Sequence, residues 1–222
     1  TAAELDAISD QHPIYLTAKS LHAGWANTRA LQLAGISAHT PDPVGGVIQR
    51  DAHAQPTGIL LEMAAMNLIT KHIPMPDGQQ VVALLDNAQA ALWRMGITGV
   101  HDFDPLSCFA GLQALQAEDK LRLRVVKNLP VTSLPQAAAL GLRSGFGDDW
   151  LRIGAVKLFA DGALGPHTAA MLAPFEDDPA NTGMLLLTKE EILEHGKLAA
   201  SCGLSLAIHA IGDRANREVL DG

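Results

Sequence analysis

Between Leu204 and His209 large apolar residues alternate with small or polar ones. Leu204, Leu206 and Ile208 fall on one face, and Ser205, Ala207 and His209 on the other. This is the period of a β-strand. Ala155-Val156-Lys157-Leu158-Phe159 is an apolar run of strand length with one lysine near its end, and a glycine-rich turn, Asp161-Gly162-Ala163-Leu164-Gly165, follows it. Upstream, Val81–Met95 has helical spacing and ends at Gly96, Ile97–Asp102 reads as a strand, and Leu106–Ala117 is helical again. Leu121–Val126 then predicts a strand, residues 134–142 a helix, Lys189–Ser201 a helix, and Asp213 starts a last helix with its carboxylate as N-cap. Strands alternating with helices imply βαβ units and a parallel sheet. Four such strands are visible, whereas a closed barrel needs eight strands and typically ~250 residues. The predicted fold class is therefore α/β, a partial TIM-type (β/α) barrel.

The first third of the chain has a different texture. Residues 2–9 read as the tail of a helix, His12–Thr17 as a short strand, and Leu21–Leu33 as a helix closing at Gly35. Gly45–Asp51 and Gln55–Leu61 are two strand-like runs joined by a polar turn, the pattern of a β-hairpin rather than of a parallel crossover.

Composition narrows the functional classes. The chain has 222 residues, 48% of them hydrophobic, enough for a substantial core, and a formal charge of −8. With no basic run, that charge argues against a nucleic-acid partner. No apolar stretch approaches the ~20 residues of a membrane span. Cys108 and Cys202 lie in unrelated segments without metal or redox spacing and read as buried thiols of a reducing, cytoplasmic compartment. The chain opens at Thr1 without a signal-peptide pattern and stops within a helical pattern, so a piece of a longer protein is expected. Half a barrel would expose sheet edges and an apolar inner face, which predicts a homo-oligomer.

Chemistry concentrates at two strand ends. A lysine inside an apolar strand needs a reason. Lys157 reads in three ways: solvated or ion-paired, a Schiff-base amine of lowered pKa, or a lysine carbamylated by CO₂ that bridges metal ions. His209, at the end of the next strand with inward parity, favours the metal reading, because neutral imidazole is a common metal ligand and barrel chemistry sits at C-terminal strand ends. His101 and Asp102 end an earlier strand, where parity allows one of them inward. The excursion from Gly165 to Thr188 is long for a βα loop and carries His167, a candidate substrate contact. Asp161 shapes the turn after the lysine strand and is a candidate partner for orienting a ligand.

The stretches Val156-Lys157-Leu158-Phe159-Ala160-Asp161-Gly162-Ala163-Leu164-Gly165 and Ala207-Ile208-His209-Ala210-Ile211-Gly212-Asp213-Arg214-Ala215-Asn216 resemble the amidohydrolase superfamily, within it amidohydrolase family 3, the YtcJ-like metal-dependent hydrolases. His22, Asn27, Arg29-Ala30-Leu31, Gly45-Gly46 and Pro56-Thr57-Gly58 with Leu61-Glu62 extend the resemblance almost end to end. It implies an insertion subdomain at 1–76 beside a barrel mouth and a partial barrel at 77–222. It also implies a divalent metal, zinc, held by Lys157 and His209, and substrate-facing roles for His22 and Asn27. The activity implied is hydrolysis of a C–N bond in a small amide or cyclic amide by metal-activated water. By the same resemblance, paired histidines should precede residue 1, and the aspartate general base should lie beyond Gly222, leaving this piece inactive alone. Where the family commonly continues Ser-Arg after Gly165, this chain has Pro166-His167, which removes a bidentate donor for carboxylate-like groups. Two alternatives remain beside it: a Schiff-base, aldolase-like barrel enzyme using Lys157, and a non-catalytic barrel remnant used for interaction.

Overall fold

The computed structural model describes residues 1–222. They form two compact units. One comprises Thr1–Pro74, Ala160–Leu187 and Ala210–Leu220, the other Met75–Phe159, Thr188–His209 and Asp221–Gly222. The excursion after the lysine strand and the segment after His209 thus join the N-terminal unit, in contrast to a single cut near residue 76.

In the first unit, α1 (Ala2–Asp6), β1 (Tyr15–Thr17), β2 (Ala23–Ala26) and α2 (Thr28–Leu33) lead into the hairpin of β3 (Val47–Arg50) and β4 (Pro56–Leu61), after which comes α3 (Glu62–Thr70). The strands form an antiparallel sheet of order β1-β2-β4-β3. Leu31, Ile48, Leu60, Met66 and Ile69 are buried together between sheet and helices, each leucine- or isoleucine-sized side chain contributing about 1.5–3 kcal/mol. The helix expected over Leu21–Leu33 starts late. Ala23–Ala26 pairs as a strand instead, and Asn27 caps the helix by accepting from Ala30 N at 2.9 Å. The helix α3 has no counterpart in the sequence reading.

The second unit holds α4 (Gly78–Arg94), β5 (Gly99–Asp102), α5 (Leu106–Ala117), β6 (Arg124–Pro130), α6 (Leu134–Ala139), β7 (Leu151–Phe159), α7 (Lys189–Cys202) and β8 (Ser205–His209); α8 (Asp213–Asp221) follows, with its residues up to Leu220 in the first unit. Its sheet is fully parallel, in the order β5-β6-β7-β8, the four-stranded part of a β/α barrel that the alternating pattern predicts. Asp77 with Gln80 and Thr188 with Glu191 form capping boxes that start α4 and α7. Gly203, at φ 77°, ends α7 in the left-handed conformation that glycine adopts without strain. Leu112, Leu115, Leu123, Val125 and Leu151 fill the space between the helices and one face of this sheet. Strand β6 lies later than the apolar pattern suggests, running through Lys127 and Asn128 to Pro130.

Candidate metal centre

Strand register decides which side chains share a face. In β7 and β8, Lys157 stands opposite Ala207 and Phe159 opposite His209. Lys157, Phe159, Ala207 and His209 therefore share one face, with Leu158 and the fully buried Val156 on the other. Both predicted ligands lie near the C-terminal ends of neighbouring parallel strands. The Lys157 ammonium lies 4.6 Å from the centroid of the Phe159 ring and 5.3 Å from that of Phe103. Burial holds its pKa below the ordinary lysine range. Phe159 and His209 rings are 5.3 Å apart, centroid to centroid.

His101 pairs with Val126, and the same side of β6 carries Asn128 and Pro130, the latter opposite Lys157. His101 and Phe103 thus belong to the lysine face, and Asp102 to the opposite one. Asp102 departs from the substrate-facing expectation. Its carboxylate accepts a 2.5 Å hydrogen bond from Lys127, whose side chain is fully buried. Lys127 also donates to the carbonyl of Asp104. Asp102, Asp104 and Cys108 offer ligand atoms within 4.8 Å of one another, but the Lys127 ammonium already supplies the cation there. Burial, then the Asp102 charge, pushes the Asp104 pKa up; burial and both carboxylates push the Cys108 thiol up to about 12. A protonated thiol beside an ammonium is a poor metal ligand.

The remaining predicted site residues lie in the first unit. Asn27 is fully buried, accepting from Ile14 N and Ala30 N and donating to the carbonyls of Ser9 and His12, all at 2.9 Å. Those four bonds exhaust its usual capacity, so the substrate-facing role expected of Asn27 gives way to a structural one. Asp161, also fully buried, accepts from Ala170 N, Ile211 N and Gly212 N at 2.7–2.9 Å. It joins two loops by their backbones. Asp213 belongs to α8 itself and accepts from Leu172 N at 2.8 Å. His167 stacks on Phe175 at 4.6 Å within its own loop. His22 Nδ1 lies 2.9 Å from Glu62 Oε2, and the other Glu62 oxygen accepts from the Thr168 hydroxyl.

The sequence did not reveal Lys127 and Asn128, and it gave Glu62 and Thr168 no role of their own. A signal existed for Lys127, a second lysine inside an apolar run. Glu62 stood only within a stretch of the family resemblance, and its left-handed backbone, φ 64°, emerges only in the fold.

Lys157 and His209 fit a divalent metal as donors: a lysine amine kept from full solvation is open to carbamylation, which replaces a cation by oxygen donors, and imidazole adds a nitrogen. A family model described as "Amidohydrolase family" matches residues 1–222. The chain is 35% identical over 228 residues to "Putative amidohydrolase YtcJ" of Bacillus subtilis (strain 168), covering all of this chain and 42% of that protein. It is 34% identical over 241 residues to "N-substituted formamide deformylase" of Arthrobacter pascens, again all of this chain and 42% of the relative. A crystal structure of an uncharacterized metal-dependent hydrolase from Pyrococcus horikoshii OT3 superposes with a TM-score of 0.68 at 31% identity, covering 100% of this chain and 43% of that one. The chain spans less than half the length of each.

Proposed function

Because the chain belongs to the amidohydrolase family, we propose that it carries two ligands of a divalent-metal centre, Lys157 as its carbamate and His209, in a protein that hydrolyses the C–N bond of a small amide or cyclic amide. The observation that supports this most directly is the placement of both residues on one face of adjacent parallel strands, near the ends where barrel enzymes hold their chemistry. Carbamylation starts from the neutral amine: the Lys157 ammonium first gives up one proton, Nζ then bonds to the carbon of CO₂ and gives up a second, and a carbamate anion stands where the ammonium was. A cation bound there, zinc by the nitrogen and oxygen donor set, supplies Lewis acidity toward water and a substrate carbonyl. His209 binds through one ring nitrogen, with Phe159 packed against its ring. His101, exposed on the lysine face, contacts substrate. The name of the Arthrobacter relative supports a C–N substrate. No helix is long and apolar enough to cross a membrane.

The test uses the full-length protein that contains this chain. Zinc retained through dialysis, a mass increment of CO₂ on the peptide containing Lys157 under mild conditions, and loss of both in Lys157→Ala are expected. Trapping of Lys157 by borohydride with a carbonyl substrate, without metal dependence, would replace this reading by the Schiff-base one.

A further inference from the structure

The alternation of β7 changes phase partway along. Leu151 and Ile153 are buried, Arg152 is exposed, and then Val156 and Leu158 are buried. Burial passes from odd to even positions between Ile153 and Val156. The pairing with β6 shows why: Lys127 stands opposite Ile153, but Leu129 stands opposite Val156, so β7 spends three residues where β6 spends two. The extra residue is a β-bulge at Gly154-Ala155. With unbroken alternation Lys157 would share the face of Leu151 and Ile153, beneath the helices. The bulge turns it to the face of His209.

A bulge interrupts the ladder, and buried backbone groups need other partners. Here the affected group is one peptide unit, the carbonyl of Gly154 and the N–H of Ala155, and a side chain meets each end. Ala155 N donates to Asn128 Oδ1 at 2.9 Å. The Gly154 carbonyl accepts from the Ser144 hydroxyl, which itself accepts from Ser205 N of β8 at 2.9 Å. Asn128 is buried, and its amide nitrogen lies 3.3 Å from the carbonyls of Asp102 and Val126. The bulge is thus clamped from β6 on one side and from the start of β8 on the other. Glycine is required at 154, since a Cβ there would lie 2.6 Å from Val126 Cγ1 and 2.7 Å from Asn128 Oδ1.

We infer that Asn128 and Ser144 are positioning residues for Lys157: by holding the Gly154-Ala155 peptide as a bulge they set the strand phase that places the lysine on the same face as His209. Its functional meaning rests on the proposed role of Lys157 as a ligand, but the positioning itself is observable without metal. Reductive methylation with ¹³C-formaldehyde and a borohydride reductant gives the accessible lysines methyl signals, and that of Lys157, assigned by Lys157→Arg, is ring-current shifted by Phe103 and Phe159. In Asn128→Ala and in Ser144→Ala this signal moves to the position of a solvated lysine, whereas Asn128→Asp, which keeps the acceptor oxygen, restores it. Loss of thermal stability with an unmoved Lys157 signal would assign both residues a merely structural role and overturn the inference. Wild-type amide exchange supplies a measurement that needs no variant. Ala155 N–H is protected at least about tenfold, the scale of one hydrogen bond, and an unprotected Ala155 amide refutes the clamp. A shifted Lys157 signal in a full-length protein that holds no zinc would leave the positioning intact and reject only the metal reading.

Discussion

Lys127 reaches Asp102 across neighbouring parallel strands, its ammonium 2.5 Å from Oδ2, with the lysine side chain fully buried and the aspartate nearly so. The two residues are register partners, so one strand pair fixes the geometry of the ion pair without any loop. Such a pair is costly to break from one side, because the remaining charge stays desolvated.

Lys127→Met is therefore expected to destabilise the chain by about 3–5 kcal/mol, read from chemical denaturation. Asp102→Asn in the same background should recover part of the loss, since it removes the stranded carboxylate. Additive losses in the double variant would show that the two side chains do not depend on one another.

The neighbouring thiol gives a pH-dependent consequence. Cys108 is held up to about 12 from an ordinary value of 9.0 by burial first and by the charges of Asp102 and Asp104 next. Its folded pKa exceeds its unfolded one, so between about 9 and 12 the native state binds the proton that the unfolded state releases, and stability falls as pH rises through that window. Wild type should lose more stability there than Cys108→Ala. At pH 8 in native protein, iodoacetamide should modify Cys202 and spare Cys108; equal labelling of both would contradict the buried, protonated thiol.

The pair and the bulge also mark where sequence reading stopped. Regular alternation in Leu204–His209 was enough to assign His209 its face, because β8 has no irregularity. Lys157 stood in a readable strand, yet its face depended on an extra residue that breaks period two, and nothing local announces a bulge beyond Gly154. The C-terminal half of β6 was hidden for a related reason: the polar pair Lys127-Asn128 interrupts the apolar run, and its partners Asp102 and Ala155 come from the two neighbouring strands. Asn27 entered through the family resemblance, with a substrate-facing role; its structural role was not legible, since its four partners come from segments that only the fold assembles.

Asn27→Ala tests that reassignment. It leaves the Ile14 and Ala30 amides and the Ser9 and His12 carbonyls without the bonds they now make. At about 1 kcal/mol net per hydrogen bond, with more for each buried group left unsatisfied, a loss of about 3 kcal/mol or more in unfolding free energy is expected. In the full-length protein, KM for any amide substrate should be unchanged at temperatures where the variant is folded. A raised KM with an unaltered thermal midpoint would restore Asn27 to the substrate site.

The 222-residue chain on its own should hold metal weakly. Of the ligands implied by the family resemblance, this chain contains Lys157 and His209, and a catalytic zinc normally keeps three protein ligands. Two ligands on adjacent strands give weak binding, because the remaining coordination positions fall to water, which confers no chelate advantage. The carbamate proposed for Lys157 would depend on the same cation. Without one to hold its oxygens, the adduct on Lys157 loses CO₂ and the side chain returns to the amine that lies over Phe103 and Phe159. Weak metal and unmodified lysine reinforce each other, so the chain should dialyse free of zinc, show no mass increment at Lys157, and lack hydrolase activity. Metal analysis beside native mass spectrometry decides the matter: one equivalent of zinc surviving dialysis in wild type, and lost in both Lys157→Ala and His209→Ala, would mean that these residues complete a site with further donors of this chain, against the expectation.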